Sequence, residues 1–149
     1  MRGVIQRVKE AHVKVDDKIV GEIGRGILLL LGIESGDDNR DIEYILRKTV
    51  NLRIFPDKNG KMNLSLKEVG GELLVVSQFT LLGDCRKGRR PSYSKALSPN
   101  VAEKVYKNFL LEAKKIGIKV ESGIFQAMMD VFLVNEGPVT LLLDSKKTF

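Results

Sequence analysis

Three hydrogen-bonding side chains, grouped around one aromatic ring, follow directly on a run of four apolar residues. The apolar run, Leu73–Val76, contains two β-branched residues and predicts a buried strand. It leads without a turn residue into Ser77, Gln78, Phe79 and Thr80. Donors and acceptors at the end of a rigid element can hold a small polar substrate, so these four residues are the first candidates for catalysis. Taken alone, the stretch favours a simpler interpretation, a strand whose last side chains bond to their neighbours.

A second candidate is the turn formed by Asn135, Glu136, Gly137 and Pro138. A peptide bond before proline can be cis at modest cost, and a fixed cis bond in a tight turn usually has a purpose. In such a turn two adjacent carbonyl oxygens can point the same way. An ordinary hairpin turn is the simpler interpretation unless other residues support the first.

The chain holds one histidine, His12, and one cysteine, Cys85, and this scarcity argues against several kinds of site. A Ser-His-Asp hydrolase would have to use His12 as its base, while Cys85 has two cations beside it but no evident base. One histidine and one cysteine cannot make a structural zinc site, and there is no P-loop or dinucleotide fingerprint. We therefore predict no metal and no cofactor. An enzyme built from this chain must use backbone amides, hydroxyls or groups of its substrate.

The composition predicts one globular domain, since the chain has 149 residues, 43% of them apolar and 30% charged. The longest apolar run, Ile27–Leu31, is too short to cross a membrane, and the first residues lack the apolar core of a signal peptide. We therefore expect a cytoplasmic protein with no membrane or DNA partner. A net charge of +6 favours RNA as the partner, although the solvated surface of a thermophile's protein would show the same surplus.

Cations are concentrated in the loop from Gly83 to Tyr93. Four of them fall within five positions, and these are Arg86, Lys87, Arg89 and Arg90. They are too close together to share one rigid face, and they predict a flexible positive rim that follows phosphates. A solvated loop without a partner is the alternative, and it is the commoner case in an arbitrary protein.

Short strands separated by tight turns dominate the first part of the chain. The segments Val4–Val8 and Ala11–Val15 predict two strands, and residues 11–23 together predict a hairpin. The stretch Ile27–Ile33 is apolar at almost every position. This pattern indicates a strand covered on both faces, either in a barrel interior or at a subunit interface.

Two helices are predicted. The first begins at Asp37-Asp38, where aspartate suits the positive end of the helix dipole, and its buried face repeats at helical spacing: Ile42, Ile45, Leu46, Thr49 and Val50. The second begins at Pro99 with Ser98 as its N-cap and is stopped by Gly117. Its broad apolar stripe comprises Val101, Val105, Phe109 and Ala113, flanked by Ala102, Tyr106, Leu110 and Ile116.

The last part of the chain predicts strands at Ala127–Val134 and 139–143, on either side of the turn at 135–138. Many strands and two helices in one small domain indicate a mixed α/β fold, a single-domain β-barrel-like structure with the two main helices packed outside. We assign residues 1–145 to this domain and expect residues 146–149 to form a flexible tail.

Taken together, the motifs resemble those of the D-aminoacyl-tRNA deacylase family. The segments Ser77–Thr80 and Asn135–Thr140 stand at the family's spacing. Further matching segments are Val4–Val8, Gly60–Ser65, Cys85–Ser92, and Phe125 with Met128-Met129. Each motif is weak alone, but their ordered combination is specific.

The resemblance implies an enzyme that hydrolyses the ester linking a D-amino acid to the terminal adenosine of tRNA. Glycine mischarged on tRNA-Ala is an implied second substrate. The resemblance also implies a homodimer with tRNA as its partner and an active site at each side of the interface. It further implies that the Gly137-Pro138 turn is cis and enters the pocket of the neighbouring subunit, where it rejects L-amino acids.

The resemblance suggests catalytic roles for Ser77, Gln78, Phe79 and Thr80. Donors of this segment would bind the developing oxyanion, and we favour the backbone N–H groups of Phe79 and Thr80, with Gln78 orienting the substrate. Two roles are open for Thr80. Either its hydroxyl is the nucleophile, or the substrate's own 2′-hydroxyl activates water and no side chain is essential. Because no histidine or lysine is evident beside its hydroxyl, we predict the substrate-assisted reaction.

Substrate-binding roles are suggested for Phe125 and Met129, which would shape the adenosine pocket, and for Gly137 and Pro138. Arg7 would tether the Gly137-Pro138 turn. Plain core packing is the alternative for the apolar residues, and we favour it for Met128.

Two rival classes remain open. One is a non-catalytic RNA-binding barrel, which would bind tRNA without turnover. The other is a hydrolase that uses the Thr80 hydroxyl as nucleophile on free D-amino-acid esters and needs no RNA.

Overall fold

The computed structural model describes residues 1–149. Its two helices are α1 (Asn39–Asn51) and α2 (Pro99–Lys114), and a 3₁₀ turn spans Phe79–Leu82. The strands are β1 (Arg2–Val15), β2 (Lys18–Ile23), β3 (Gly26–Gly32), β4 (Phe55–Pro56), β5 (Met62–Leu64), β6 (Glu72–Ser77), β7 (Val120–Ser122) and β8 (Asp130–Asp144). Neither helix is both long and apolar enough to cross a membrane.

The long strand β1 is the spine of the main sheet. Its first half pairs with β3 and its second half with β2, while β8 pairs with it along almost its whole length. The sheet continues from β3 to β6 and β7 through parallel pairs. Its two ends approach each other, because a Cβ atom added to Gly21 of β2 would lie 2.5 Å from the Ser122 carbonyl oxygen of β7. The sheet is therefore nearly closed, which confirms the mixed α/β, barrel-like fold.

Strand β3 is covered on both faces within one chain. Alternate side chains point to opposite faces, so Ile27, Leu29 and Leu31 join the larger apolar cluster, which also contains the buried faces of both helices. Leu28 joins a smaller cluster on the other face, formed by side chains of β1, β2 and β6. Each such fully buried side chain contributes about 1.5–3 kcal/mol to folding.

Helix α1 forms as predicted. The Asp38 side chain accepts a hydrogen bond from the Arg40 N–H, and the Asp41 side chain accepts one from the Asp38 N–H, which closes a capping box. All five residues of the predicted face are buried.

Helix α2 begins at Pro99 as predicted, but Ser98 makes no side-chain capping bond. The four buried positions, Ala102, Tyr106, Phe109 and Ala113, all belong to the predicted stripe, but Val101 is wrongly included, since it is 48% exposed. The helix ends at Lys114, three residues before Gly117.

In two places where a pair of short strands was predicted, the structure has one continuous long strand. Val4–Val8 and Ala11–Val15 lie in the continuous strand β1, and the predicted turn at 135–138 lies inside β8. Gln6 pairs with Thr140 and Val8 pairs with Asn135, so four residues of β8 stand opposite Arg7 alone. This insertion is a bulge, which lets pairing continue on both sides of the turn.

The predicted tail makes contacts with the domain. The Lys146 ammonium lies 3.1 Å from the Glu34 carboxylate, and the Thr148 hydroxyl donates a hydrogen bond to Asp144. Phe149 is exposed.

Candidate active site

A cavity of about 700 Å³ opens at the carboxyl ends of β3 and β6. Its wall includes Ser77, Gln78, Phe79, Phe125 and Met129, five of the nine residues that the sequence singled out. The rest of the wall is mainly apolar and comes from the end of β3, the start of α2 and the segment before β8. A largely apolar pocket with a few polar groups at one side is the usual form of a small-molecule site.

The polar side of the cavity is set by the 3₁₀ turn. The Gln78 N–H donates to the Leu31 carbonyl at 2.8 Å, and the Leu81 N–H donates to the Gln78 carbonyl at 3.2 Å. Phe79 and Thr80 are the first two residues of the turn, so their N–H groups have no acceptor within it. Two adjacent backbone N–H groups are thus left without a partner in the turn that borders the cavity.

Thr80 is exposed and does not line the cavity. Its side-chain oxygen accepts a hydrogen bond from the Gln78 side-chain amide. An amide cannot remove the hydroxyl proton, so this contact gives Thr80 no activating base.

The aromatic wall of the cavity involves a residue that the sequence analysis missed. Phe79 is 58% exposed, and the Tyr93 ring meets it edge-on with a centroid distance of 5.1 Å. On the opposite wall Phe125 packs against Tyr106 at 5.7 Å. The expected core packing of Met128 is wrong, since its side chain is 91% exposed at the cavity mouth.

Arg2 is the second missed residue. Its Nη1 donates to the Leu81 carbonyl at 3.1 Å and so braces the 3₁₀ turn from β1. The two residues are 79 positions apart, and no local pattern connects them.

The Gly137-Pro138 peptide bond is cis. Gly137 has φ +132°, a conformation that side chains disfavour, and a Cβ atom there would lie 3.0 Å from Arg7 Nη2. Asn135 closes the base of the turn: its side-chain oxygen accepts from the Val139 N–H at 2.7 Å, and its amide donates to the Val139 carbonyl. The turn is therefore braced on both sides.

Arg7 holds the residue before the glycine. Its Nε donates to the Glu136 carbonyl at 3.0 Å, and its Nη1 donates to the Ile54 carbonyl. Only 8% of Arg7 is exposed, so both bonds are largely protected from water.

Within one subunit, the turn and the cavity lie near opposite ends of strand β3. Arg2 pairs with Gly32 near the cavity, whereas Arg7 pairs with Ile27 at the other end of β3. Five residues of strand separate the two points by roughly 17 Å. Arg7, Gly137 and Pro138 accordingly do not line the cavity of their own chain.

The basic loop is partly neutralised. Hydrogen bonds from the Arg86 guanidinium hold the pKa of the Asp84 carboxyl well below its usual range. Lys87, Arg89 and Arg90 are exposed and form no ion pair. Three of the four predicted cations are thus free. No three side chains of histidine, cysteine, aspartate or glutamate come together as a metal-ligand set.

Comparison with known proteins decides the family. A family model described as D-Tyr-tRNA(Tyr) deacylase matches residues 4–144. A D-aminoacyl-tRNA deacylase of Thermosipho africanus is 60% identical over the full length of both chains. The chain belongs to the D-aminoacyl-tRNA deacylase family. The deacylase of Desulfatibacillum aliphaticivorans is also similar, with 61% identity over 98% of this chain and 100% of that one.

Solved structures agree with this family fold. A c-Myc DNA unwinding element binding protein superposes with a TM-score of 0.91 at 39% identity, covering 97% of this chain and 98% of that one. A probable eukaryotic D-amino acid tRNA deacylase superposes with a TM-score of 0.81 at 21% identity, over 95% and 97% of the two chains, and supports the fold alone. The family predicted from motifs is therefore confirmed, and the chain is a hydrolase of the deacylase family.

Proposed function

We propose that this chain hydrolyses the ester bond between a D-amino acid and the 3′-terminal adenosine of tRNA, releasing free tRNA and the D-amino acid. Family membership over the full chain supports the reaction class. The observation that carries the proposal is the 3₁₀ turn Phe79–Leu82, whose first residue lines an apolar cavity. A charged tRNA substrate implies that the enzyme works in the cytoplasm.

The N–H groups of Phe79 and Thr80 bind the oxyanion that forms when water attacks the ester carbonyl. One well-placed donor of this kind lowers the barrier by about 3 kcal/mol. Gln78, with its side chain at the cavity wall, orients the ester. The 2′-hydroxyl of the terminal ribose assists the attacking water, since Thr80 lacks an activating base.

The adenosine occupies the apolar wall formed by Phe125 and Met129, with Phe79 nearby. Stacking of a base on an aromatic ring contributes about 1–3 kcal/mol. Lys87, Arg89 and Arg90 then meet the acceptor-stem phosphates, because these exposed cations are not engaged by carboxylates.

Handedness is checked by the Gly137-Pro138 turn of a second subunit. Within one chain the turn is distant from the cavity, so it can complete only a neighbour's site. Strand β8 offers apolar side chains for a homodimer contact, with Phe132 46%, Val134 45% and Leu142 62% exposed in the single chain. The braced turn leaves no room for a side chain on the L side of Cα, whereas glycine passes and makes glycyl-tRNA a second substrate.

One assay separates this proposal from its rivals. Purified protein is incubated with D-tyrosyl-tRNA, with L-tyrosyl-tRNA and with a free D-tyrosine ester, and product release is followed over time. We expect hydrolysis of the D-tyrosyl-tRNA alone. Binding without turnover would instead support an RNA-binding barrel, and cleavage of the free ester would support a hydrolase that needs no RNA.

A further inference from the structure

Behind the Gly137-Pro138 turn lies a cluster of three charged side chains. Glu136 places its carboxylate oxygen Oε2 3.5 Å from Nε of Arg7 and 4.0 Å from Nε of Arg25. That oxygen is shielded from solvent and accepts no hydrogen bond. It is therefore held between two guanidinium groups by charge alone.

Both cations of the cluster are fixed by one segment, Ile54-Phe55, where β4 begins. Arg7 bonds to the Ile54 carbonyl just before β4. Arg25, in the turn between β2 and β3, has its guanidinium 5.4 Å from the centre of the Phe55 ring, within reach of a cation–π contact. The cluster thus joins three segments at the base of the turn.

The carboxylate of Glu136 anchors this residue at a second point, in addition to its main-chain carbonyl. The hydrogen bond from Arg7 holds only the main-chain carbonyl of this residue, and the next residue is a glycine, whose backbone resists rotation least. Anchoring the side chain as well removes one way for the turn to tilt. Without the carboxylate, two like charges would face each other behind the turn, and the more exposed one, Arg25, would swing outward.

We propose that Glu136 and Arg25 are positioning residues that hold the Gly137-Pro138 turn and so set the discrimination between D- and L-amino acids. This inference rests on the proposed function, in which the turn is the wall that excludes L side chains. Neither residue touches the substrate. Their loss should therefore leave hydrolysis of the D substrate largely intact and let L substrates enter.

The test compares Glu136→Gln and Arg25→Gln with the unaltered enzyme. The measured quantity is kcat/KM for L-tyrosyl-tRNA divided by kcat/KM for D-tyrosyl-tRNA. We expect this ratio to rise about fivefold in Arg25→Gln, the effect of losing one partly shielded ion pair, and at least as much in Glu136→Gln, which loses its pairs with both arginines. The double variant should show no further rise over Glu136→Gln, because that change already breaks the pair with Arg25. Arg25→Lys keeps the charge and should restore most of the discrimination.

Arg40→Gln is the matched control, since Arg40 pairs with Asp38 at the start of α1 and does not contact the cluster. Its ratio should equal that of the unaltered enzyme. If Glu136→Gln does not fold, Arg25→Gln decides the question, because 47% of the Arg25 side chain is exposed and its loss leaves no cavity.

Two results would overturn this inference while leaving the proposed function intact. One is an unchanged ratio in the folded variants. The other is an equal loss of rate with D- and L-tyrosyl-tRNA, which indicates a general structural role. An unaltered enzyme that cleaves L- and D-tyrosyl-tRNA equally would overturn the proposed function, and the inference with it.

Discussion

Thr80 carries a hydroxyl in the 3₁₀ turn beside the cavity, and its surroundings provide no base to activate that hydroxyl. Its oxygen accepts from the Gln78 amide, and the chain's only histidine, His12, pairs instead with Phe132 of β8. A threonine in this state is a poor nucleophile. The backbone of Thr80 matters in our account, whereas its side chain does not.

Replacing Thr80 by alanine should therefore be tolerated. We expect kcat/KM for D-tyrosyl-tRNA to fall by less than about tenfold, because the backbone donors stay in place. Steady-state kinetics measure this, with tRNA binding and thermal stability as controls. A loss of about a thousandfold with binding intact would make the hydroxyl a nucleophile and contradict the substrate-assisted reaction.

At the scale of residues, the sequence revealed those members of the site that are neighbours in the chain. Ser77 to Thr80 stand in one run, so their grouping is visible without a fold. Arg2 braces Leu81 across 79 positions, and Arg25 reaches Glu136 only through the sheet. Such pairs depend on register, which periodicity does not specify across distant strands.

Among the helices and strands, local sequence signals were reliable where an element is stabilised by bonds within itself. Aspartate capping and helical spacing predicted α1 correctly, because a helix is closed by bonds within itself. Local strand and turn patterns wrongly divided β1 and β8 into short strands. A bulge inside a strand leaves turn-like residues in the sequence while pairing with the partner strand continues, and only the partner reveals it.

The basic loop is the element whose charge can be tested directly. The triple variant Lys87→Gln, Arg89→Gln, Arg90→Gln should bind tRNA with a shallower dependence on salt. The slope of log K against log salt should fall by about 2 to 3, since each phosphate contact contributes about 0.7–0.9. Titrations at several salt concentrations measure this slope.

A control variant removes the same charge from exposed lysines elsewhere: Lys18→Gln, Lys104→Gln, Lys114→Gln. Its slope should change by clearly less. If the two triple variants behave alike, the loop has no special role and only the net charge attracts tRNA.

At the scale of the whole molecule, several carboxylates couple folding to pH. Hydrogen bonds lower the pKa of Asp57, Glu68, Glu72 and Asp84, chiefly from Asn63, Ser65, Gly24 and Arg86 respectively. A group whose pKa is lower in the folded state binds protons more readily when unfolded. Its stabilising effect is therefore complete above its ordinary pKa and is lost as the pH falls through the lowered value.

The free energy of unfolding should accordingly be nearly constant between neutral pH and the upper of the ordinary values, 3.8 and 4.5. Below them it should fall steadily. Denaturant titrations at successive pH values measure this, and Glu72→Gln should flatten part of the decline. A decline that begins near neutral pH would show that other groups control stability.

The assembly of two subunits can also be tested, because we propose that each active site is completed by the turn of a neighbouring subunit. Two tagged variants are combined into a mixed dimer: Gln78→Ala, which disables a cavity, and Gly137→Ala, which displaces the turn because its Cβ would lie 3.0 Å from Arg7 Nη2. In a mixed dimer the one working cavity faces the intact turn of its partner. We predict that this dimer hydrolyses D-tyrosyl-tRNA and rejects L-tyrosyl-tRNA as the unaltered enzyme does. Hydrolysis of L-tyrosyl-tRNA as fast, per working cavity, as in the Gly137→Ala homodimer would contradict the account.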